Sequence, residues 1–474
     1  MSGNLKRATI IGAGPAGLTA GYLLQKNGYE VVILEKDSTY VGGLARTVVK
    51  DGYRFDIGGH RFFTKSDRVK QFWEEIFSNR LIKRNRLSRI LFRGKYFNYP
   101  LDLANVIKNV SFFETFKFGI SYIWSHLFFK SDVKTFEQWV QKNFGNQLYL
   151  AFFKSYTEKV WGRPCSQISS DWAAQRINGL SIFSIIKSLF SKFFGINIRD
   201  ETKSLISNFD YPRKGPGEMW EECRDQFIKL GGKLILGAEV KSIEQSEQLW
   251  KVFFKKNQMT IFNESEICIS SMPLPFLIRN LSPSASDDAI IASTELSHRD
   301  FITVAVMFEG ENTFQDNWIY LHDSNIKAAR IQNYRNWSME MVPNEKSVCL
   351  GLEYFCQHND SFWELSDDKL QRVAKEDLKN LGFIIPESAR FEVIKVKEAY
   401  PVYCNNYSSK VEILKNEILK RNGLYVVGRN GMHRYNNQDH SIMTSILTVE
   451  NIVNGTNIYD PWNVNQDAVY IEKN

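Results

Sequence analysis

The sequence predicts an α/β protein built on a Rossmann-type dinucleotide-binding domain interleaved with a second, mixed domain. Three observations carry this. The chain opens on strand, glycine turn, helix, strand and acid, in that order. It closes on another apolar strand, a glycine turn and a helix. Between them lie helical and then alternating patterns, with no repeat and no low-complexity linker to mark a boundary.

The opening unit is the most specific. Residues 6–11 (K-R-A-T-I-I) read as a strand and Gly12-Ala13-Gly14-Pro15-Ala16-Gly17 as a turn. A helix follows over 18–27, then an apolar strand over 29–34 ending on Glu35. Gly12 permits the tight turn, Gly14 lets backbone approach a pyrophosphate, and Gly17 lets the helix lie against the sheet. The unpaired N–H groups at the helix start favour an anion. Glu35 is placed to accept from ribose hydroxyls. Next, Val41-Gly42-Gly43-Leu44-Ala45-Arg46 joins paired glycines to a cation that can reach a phosphate. Residues 53–63 alternate like a strand and break at Gly58-Gly59, so His60 falls where no apolar face is prepared and is a candidate functional residue.

Residues 67–200 read mostly as helix, with segments at 106–130, 135–144 and 149–160. The stretch 180–196, from Leu180 to Ile196, places Ile182, Ile186, Phe190 and Phe194 on one face and serines with Lys187 and Lys192 on the other. It is either a helix packed on the protein's own core or an in-plane helix at a membrane or partner surface. A turn-rich segment at 211–219 then opens a helix over 220–230. Strands are predicted over 233–243, 249–269, 301–308, 318–321, 329–334, 347–354 and 392–400, with a helix at about 367–381. The run G-L-Y-V-V-G at 423–428 reads as a buried strand, followed by Arg429-Asn430-Gly431 and a last helix to about 451. This order assigns 1–75, 205–290 and 405–460 to one discontinuous cofactor domain. It assigns 76–204 to a helical subdomain, 291–404 to an antiparallel sheet and 461–474 to a tail.

With 474 residues, 43% hydrophobic and 24% charged, the chain has the composition of a folded globular protein of two or three domains. The net charge of +7 is modest. The basic cluster Lys83, Arg84, Arg86, Arg89, Arg93 and Lys95 lacks the interleaved aromatics of a single-strand binder, so nucleic acid is not expected; a solvated face, an acidic small molecule or an anionic membrane surface all fit. The six scattered cysteines include no C-x-x-C pair, so no metal site is expected. The polar first residues and the lack of a spanning apolar run point to a cytoplasmic protein with reduced thiols, with the inner face of the membrane as the alternative.

Taken together, the two ends resemble the flavoproteins of the FAD-dependent amine oxidase and protoporphyrinogen oxidase superfamily, with the GR2-like cofactor domain of that group. Several stretches favour its UDP-galactopyranose mutase-like branch: Asp56-Ile57-Gly58-Gly59-His60; Lys159-Val160-Trp161-Gly162-Arg163-Pro164 with Trp172 and Ala174-Gln175-Arg176; Tyr211-Pro212 with Gly215-Pro216-Gly217-Glu218-Met219-Trp220; Trp318-Ile319-Tyr320 with Ala329-Arg330; and Gly428-Arg429-Asn430-Gly431 with Arg434-Tyr435 and Asn437-Gln438-Asp439-His440-Ser441.

The resemblance implies FAD held by the opening turn (Gly12, Gly14, Pro15, Ala16, Gly17) and by Glu35 and Lys36. Gly43, Leu44 and Arg46 would join them, as would Gly58, Gly59, His60 and Val240, and the closing residues Gly428, Arg429, Asn437, Gln438, Asp439 and Ser441. It implies a flavin-dependent isomerase: a pyranose/furanose mutase of a nucleotide-diphosphate sugar in surface polysaccharide synthesis. Such an enzyme is active with reduced flavin, works through a covalent flavin N5–sugar adduct, and has NAD(P)H as candidate reductant. His60, Arg176, Arg330 and Arg429 would be catalytic, and Tyr320, Tyr400 and Tyr435 would bind substrate phosphate. The alternatives are an FAD-dependent oxidase or desaturase of an amine, lipid or polyprenyl-linked substrate, a mutase of a lipid-linked sugar, and a non-catalytic flavin scaffold at a membrane.

Overall fold

A computed structural model describes residues 6–78, 80–99, 103–129, 132–177 and 208–465; the stretch 180–196 lies outside them. Arg7–Ile11 and Glu30–Glu35 are rich in β-branched residues and largely buried, as suits strands covered on both faces. They are neighbours in a five-stranded parallel sheet. Its order is Leu424–Val426, Ile267–Ser270, Arg7–Ile11, Glu30–Glu35, Lys233–Leu236. One sheet thus draws on the start, the middle and the end of the chain. The helix Pro15–Lys26 packs on it against Gly217–Lys229 and Gln438–Asn454, and Leu18, Leu24, Ile33, Phe227 and Ile442 share one core. A smaller sheet follows in the order Met259–Ser265, Leu249–Lys256, Glu239–Ser246, Leu281–Ser282.

The second large sheet has seven strands in the order Arg390–Pro401, His298–Glu309, Ser347–Cys356, Arg330–Asn333, Trp318–Leu321, Ser88–Phe92, Lys95–Asn98. All pairings are antiparallel except Trp318–Leu321 with Ser88–Phe92. The helical reading of 67–200 is corrected here. Leu81–Asn85, Ser88–Phe92 and Lys95–Asn98 are strands, and the last two complete this sheet. The missed signal is the two-residue turn Arg93-Gly94, with φ of 51° and 70°, the left-handed pair that suits a tight hairpin. Asp323 accepts from both turn N–H groups, at 3.0 Å from Gly94 N. The basic cluster of this region is partly structural. Arg89 forks onto buried Asp316 at 2.9 and 2.6 Å, and Arg84 Nε donates to the Trp337 carbonyl at 2.7 Å.

Helices Phe136–Phe144 and Ser155–Trp161 lie over the second sheet, sharing a core with Phe301, Tyr334 and Trp337. Lys159 fastens its helix to the loop after the strand Trp318–Leu321, its Nζ donating to the carbonyls of Leu321, Asp323 and Ile326 at 2.9, 3.0 and 2.8 Å. Burial lowers that ammonium to about 8. The hairpin Thr47–Lys50 with Tyr53–Asp56 leads from the parallel sheet to the break at Gly58. Among the described residues no helix is long and apolar enough to cross a membrane, and no three His, Cys, Asp or Glu form a candidate metal cluster. All six cysteines are buried and free.

Candidate active site

The opening turn is a cradle whose first and last glycines leave no room for side chains. Gly12 takes φ 95°, and a Cβ there would stand 2.3 Å from Ser271 Oγ; one on Gly17 would meet the Gly12 carbonyl at 1.8 Å. A second glycine loop crosses it. Gly42 N donates to Ala13 O at 2.8 Å, and a Cβ on Gly43 would lie 3.2 Å from Gly14 Cα. The closing loop meets the same place from the far end of the chain, because a Cβ on Gly428 would come 2.7 Å from Ala16 Cβ.

Glu35 is buried, accepting from Ala13 N at 2.6 Å and Asp37 N at 2.9 Å, so it also braces the turn. Lys36 is exposed and Leu44 half-buried. Val240 is buried, its side chain packed in the core with Ile11 and Leu34. Pro15 stands at the first position of its helix. Asn437 caps the helix Gln438–Asn454, whose first residues Gln438, Asp439 and Ser441 are buried. Gln438 Oε1 accepts from Trp220 Nε1 at 2.8 Å.

The buried polar atoms that lack a hydrogen-bond partner among the described residues include Arg46 Nε, Gln438 Nε2 and His60 Nδ1. Buried polar groups are normally satisfied. Two shielded donors and an imidazole nitrogen beside a bare glycine cradle are what a ligand carrying phosphates and a heteroaromatic ring would complete.

Past the cradle, the end of one sheet meets the face of the other. A Cβ on Gly58 would contact His60 Cε1 at 3.5 Å and Tyr400 Oη at 3.7 Å; one on Gly59 would contact the Trp337 ring and Gln332 Oε1 at 3.5 and 3.6 Å. Arg330 is 18% exposed and ion-paired to Glu353, whose side chain is wholly buried and also accepts from Gln332 Nε2. Its Nη2 lies 3.5 Å from Tyr400 Oη. Arg429 is held by carbonyls, donating through Nε to Asn436 at 2.8 Å and through Nη1 to Ala399 at 3.3 Å. Its guanidinium lies 5.2 and 4.9 Å from the ring centres of Tyr400 and Tyr435, which stack on each other at 5.5 Å. Burial, then Arg429 and Arg330, push the His60 imidazole down to about 3, so it is neutral. Tyr320 packs against Tyr99 and Tyr156 at 4.6 and 5.7 Å, and both Tyr156 and Tyr320 lie within electrostatic reach of Arg330.

The structure therefore gathers His60, Arg330, Arg429, Tyr400 and Tyr435, with Tyr320 beside them. Arg176 falls on the helix Ser170–Ile177, and its side chain lies outside the described residues. Sequence reasoning missed Glu353, Gln332 and Tyr156. Glu353 had a signal, a lone carboxylate in the apolar run V-C-L-G-L-E-Y-F.

Residues 10–76 match the family model of the NAD(P)-binding Rossmann-like domain. Along nearly its whole length the chain superposes on the crystal structure of reduced UDP-galactopyranose mutase, with a TM-score of 0.82 at 20% identity, covering 97% of this chain and 99% of that one. Among curated sequences it is 37% identical over 105 residues to the 1-hydroxycarotenoid 3,4-desaturase of Flavobacterium sp. (strain P99-3), 21% of each chain. It is 26% identical over 322 residues to the phytoene desaturase of Fusarium fujikuroi, 63% of this chain and 54% of that one. The chain spans less than two thirds of the length of these curated relatives. Its fold is the one seen in that mutase, an α/β architecture with a Rossmann-like domain, as the resemblance implied. The Rossmann-like match, this fold and the shielded polar atoms of the cradle together fit FAD as the cofactor.

Proposed function

We propose that the protein is an FAD-dependent mutase that interconverts the pyranose and furanose forms of a nucleotide-diphosphate sugar of the UDP-galactopyranose kind. The observation that supports this best is the gathering of Arg330, Arg429, Tyr400 and Tyr435 beside His60, where the glycine cradle ends. Arg330 is paired with a buried carboxylate and Arg429 only with carbonyls, so the cluster keeps a cationic excess that suits a diphosphate. Reduced flavin, when bound, supplies the nucleophile for covalent catalysis.

The chain's own contribution is fixed charge. Asn436 and Ala399 hold Arg429 and Glu353 holds Arg330, so neither cation has to move when charge develops on a departing diphosphate. Arg429 Nη2 is uncommitted among the described residues, and Tyr400 and Tyr435 offer hydroxyls toward phosphate oxygens. Neutral His60 adds no further positive charge beside them.

A second reading, dehydrogenation of a lipid, polyprenyl-linked or amine substrate, is favoured by the desaturases among the sequence relatives. One experiment separates the two: the purified protein is given UDP-galactopyranose before and after dithionite reduction under nitrogen. Furanose formed only after reduction, with no net consumption of reductant, supports the mutase. Absence of furanose, together with steady oxygen uptake on an amine or unsaturated lipid, overturns it. Arg429→Ala and Arg330→Ala should each weaken UDP binding by about 1.5–3 kcal/mol in titration calorimetry.

A further inference from the structure

The helix Phe112–Phe128 packs Phe118 inward but leaves a second apolar stripe uncovered. Phe113, Phe116, Ile120, Ile123 and Leu127, spaced alternately three and four residues apart, lie exposed with Phe112 and Trp124 beside them. Exposure reaches 80% at Phe112, 68% at Leu127 and 64% at Trp124. Two serines face the protein, Ser125 being buried and Ser121 Oγ accepting from Gln147 N at 3.0 Å, while Lys117 and His126 are exposed. An amphipathic helix ordinarily buries its apolar stripe, and an exposed stripe marks an interaction surface.

Charge identifies the partner. The helix start is a capping box of Ser111 and Glu114, and Glu114 is ion-paired at 2.7 Å with Arg93 on the hairpin turn. Lys95 reaches the Asn109 carbonyl at 2.8 Å, next to exposed Lys108. Lys117 is exposed on the helix itself. Of the eight Lys or Arg in sequence 81–129, Arg84, Arg89 and Arg93 are committed to Trp337, Asp316 and Glu114, and Lys95, Lys108 and Lys117 carry the basic rim. An aromatic-rich apolar stripe with a basic rim suits an anionic lipid surface. A second copy docked on the same face would bring like charges together.

We propose that the outward face of Phe112–Phe128 docks the protein in the plane of an anionic lipid bilayer. This surface is distinct from the stretch 180–196 that the sequence singled out for such a contact.

The test is flotation of the full chain with vesicles of equal parts phosphatidylcholine and phosphatidylglycerol, against phosphatidylcholine alone. The wild type should float with the mixed vesicles and far less with the neutral ones or in high salt. Phe116→Glu and Ile123→Glu should each weaken partitioning roughly tenfold or more and retain flavin colour and melting temperature. A polarity-sensitive dye on Ile120→Cys should shift to the blue on vesicles, since the native cysteines are all buried. The proposal is overturned if the wild type does not float, if the glutamate variants float equally well, or if the protein is a lipid-free dimer that those variants dissociate.

Discussion

Glu353 holds the cation cluster together. It lies in the strand Ser347–Cys356, where every residue but Phe355 is buried, and it receives both Arg330 and Gln332. Glu353→Gln should leave a buried guanidinium unpaired and lower stability by about 3–5 kcal/mol, read as a lower melting temperature. Asp56 titrates in the opposite sense from a paired surface acid. Burial raises it to about 7, against the donors Tyr211 and Thr47. Between an ordinary aspartate value and about 7, the folded chain keeps a proton that the unfolded chain has lost. Its contribution is therefore complete in acid and lost as pH rises through about 7. The melting temperature of the wild type should fall relative to Asp56→Asn over that interval; parallel curves would show that Asp56 titrates normally.

At the scale of elements, two glycine loops and the closing turn meet with no spare volume. Gly43→Val should push its loop off Gly14 and weaken FAD retention by roughly tenfold or more, seen as a lower ratio of visible to ultraviolet absorbance in the purified protein. The opening unit was legible in the sequence because its glycines, strands and acid are local and ordered. The strands at 81–98 were not. Their basic side chains, spaced by apolar residues, imitate an amphipathic helix, and the left-handed arginine at 93 hides a hairpin turn usually written with asparagine or aspartate. His60, Arg330 and Arg429 came forward from local motifs, but the carboxylate that pairs Arg330 comes from the neighbouring strand, a contact set by sheet register.

For the molecule as a whole, the parallel sheet joins five strands drawn from residues 7–35, 233–270 and 424–426. A fragment of residues 6–78 has only two of them, Arg7–Ile11 and Glu30–Glu35. It should show little ordered far-ultraviolet dichroism and hold no FAD, although it contains the whole region matched by the Rossmann-like model. The strand Leu424–Val426 forms one edge of that sheet, and Gly428 then closes onto Ala16. A ribosome still translating this polypeptide carries a half-walled cleft. Flavin loading should therefore require the strand Leu424–Val426 and the turn after it to be in place.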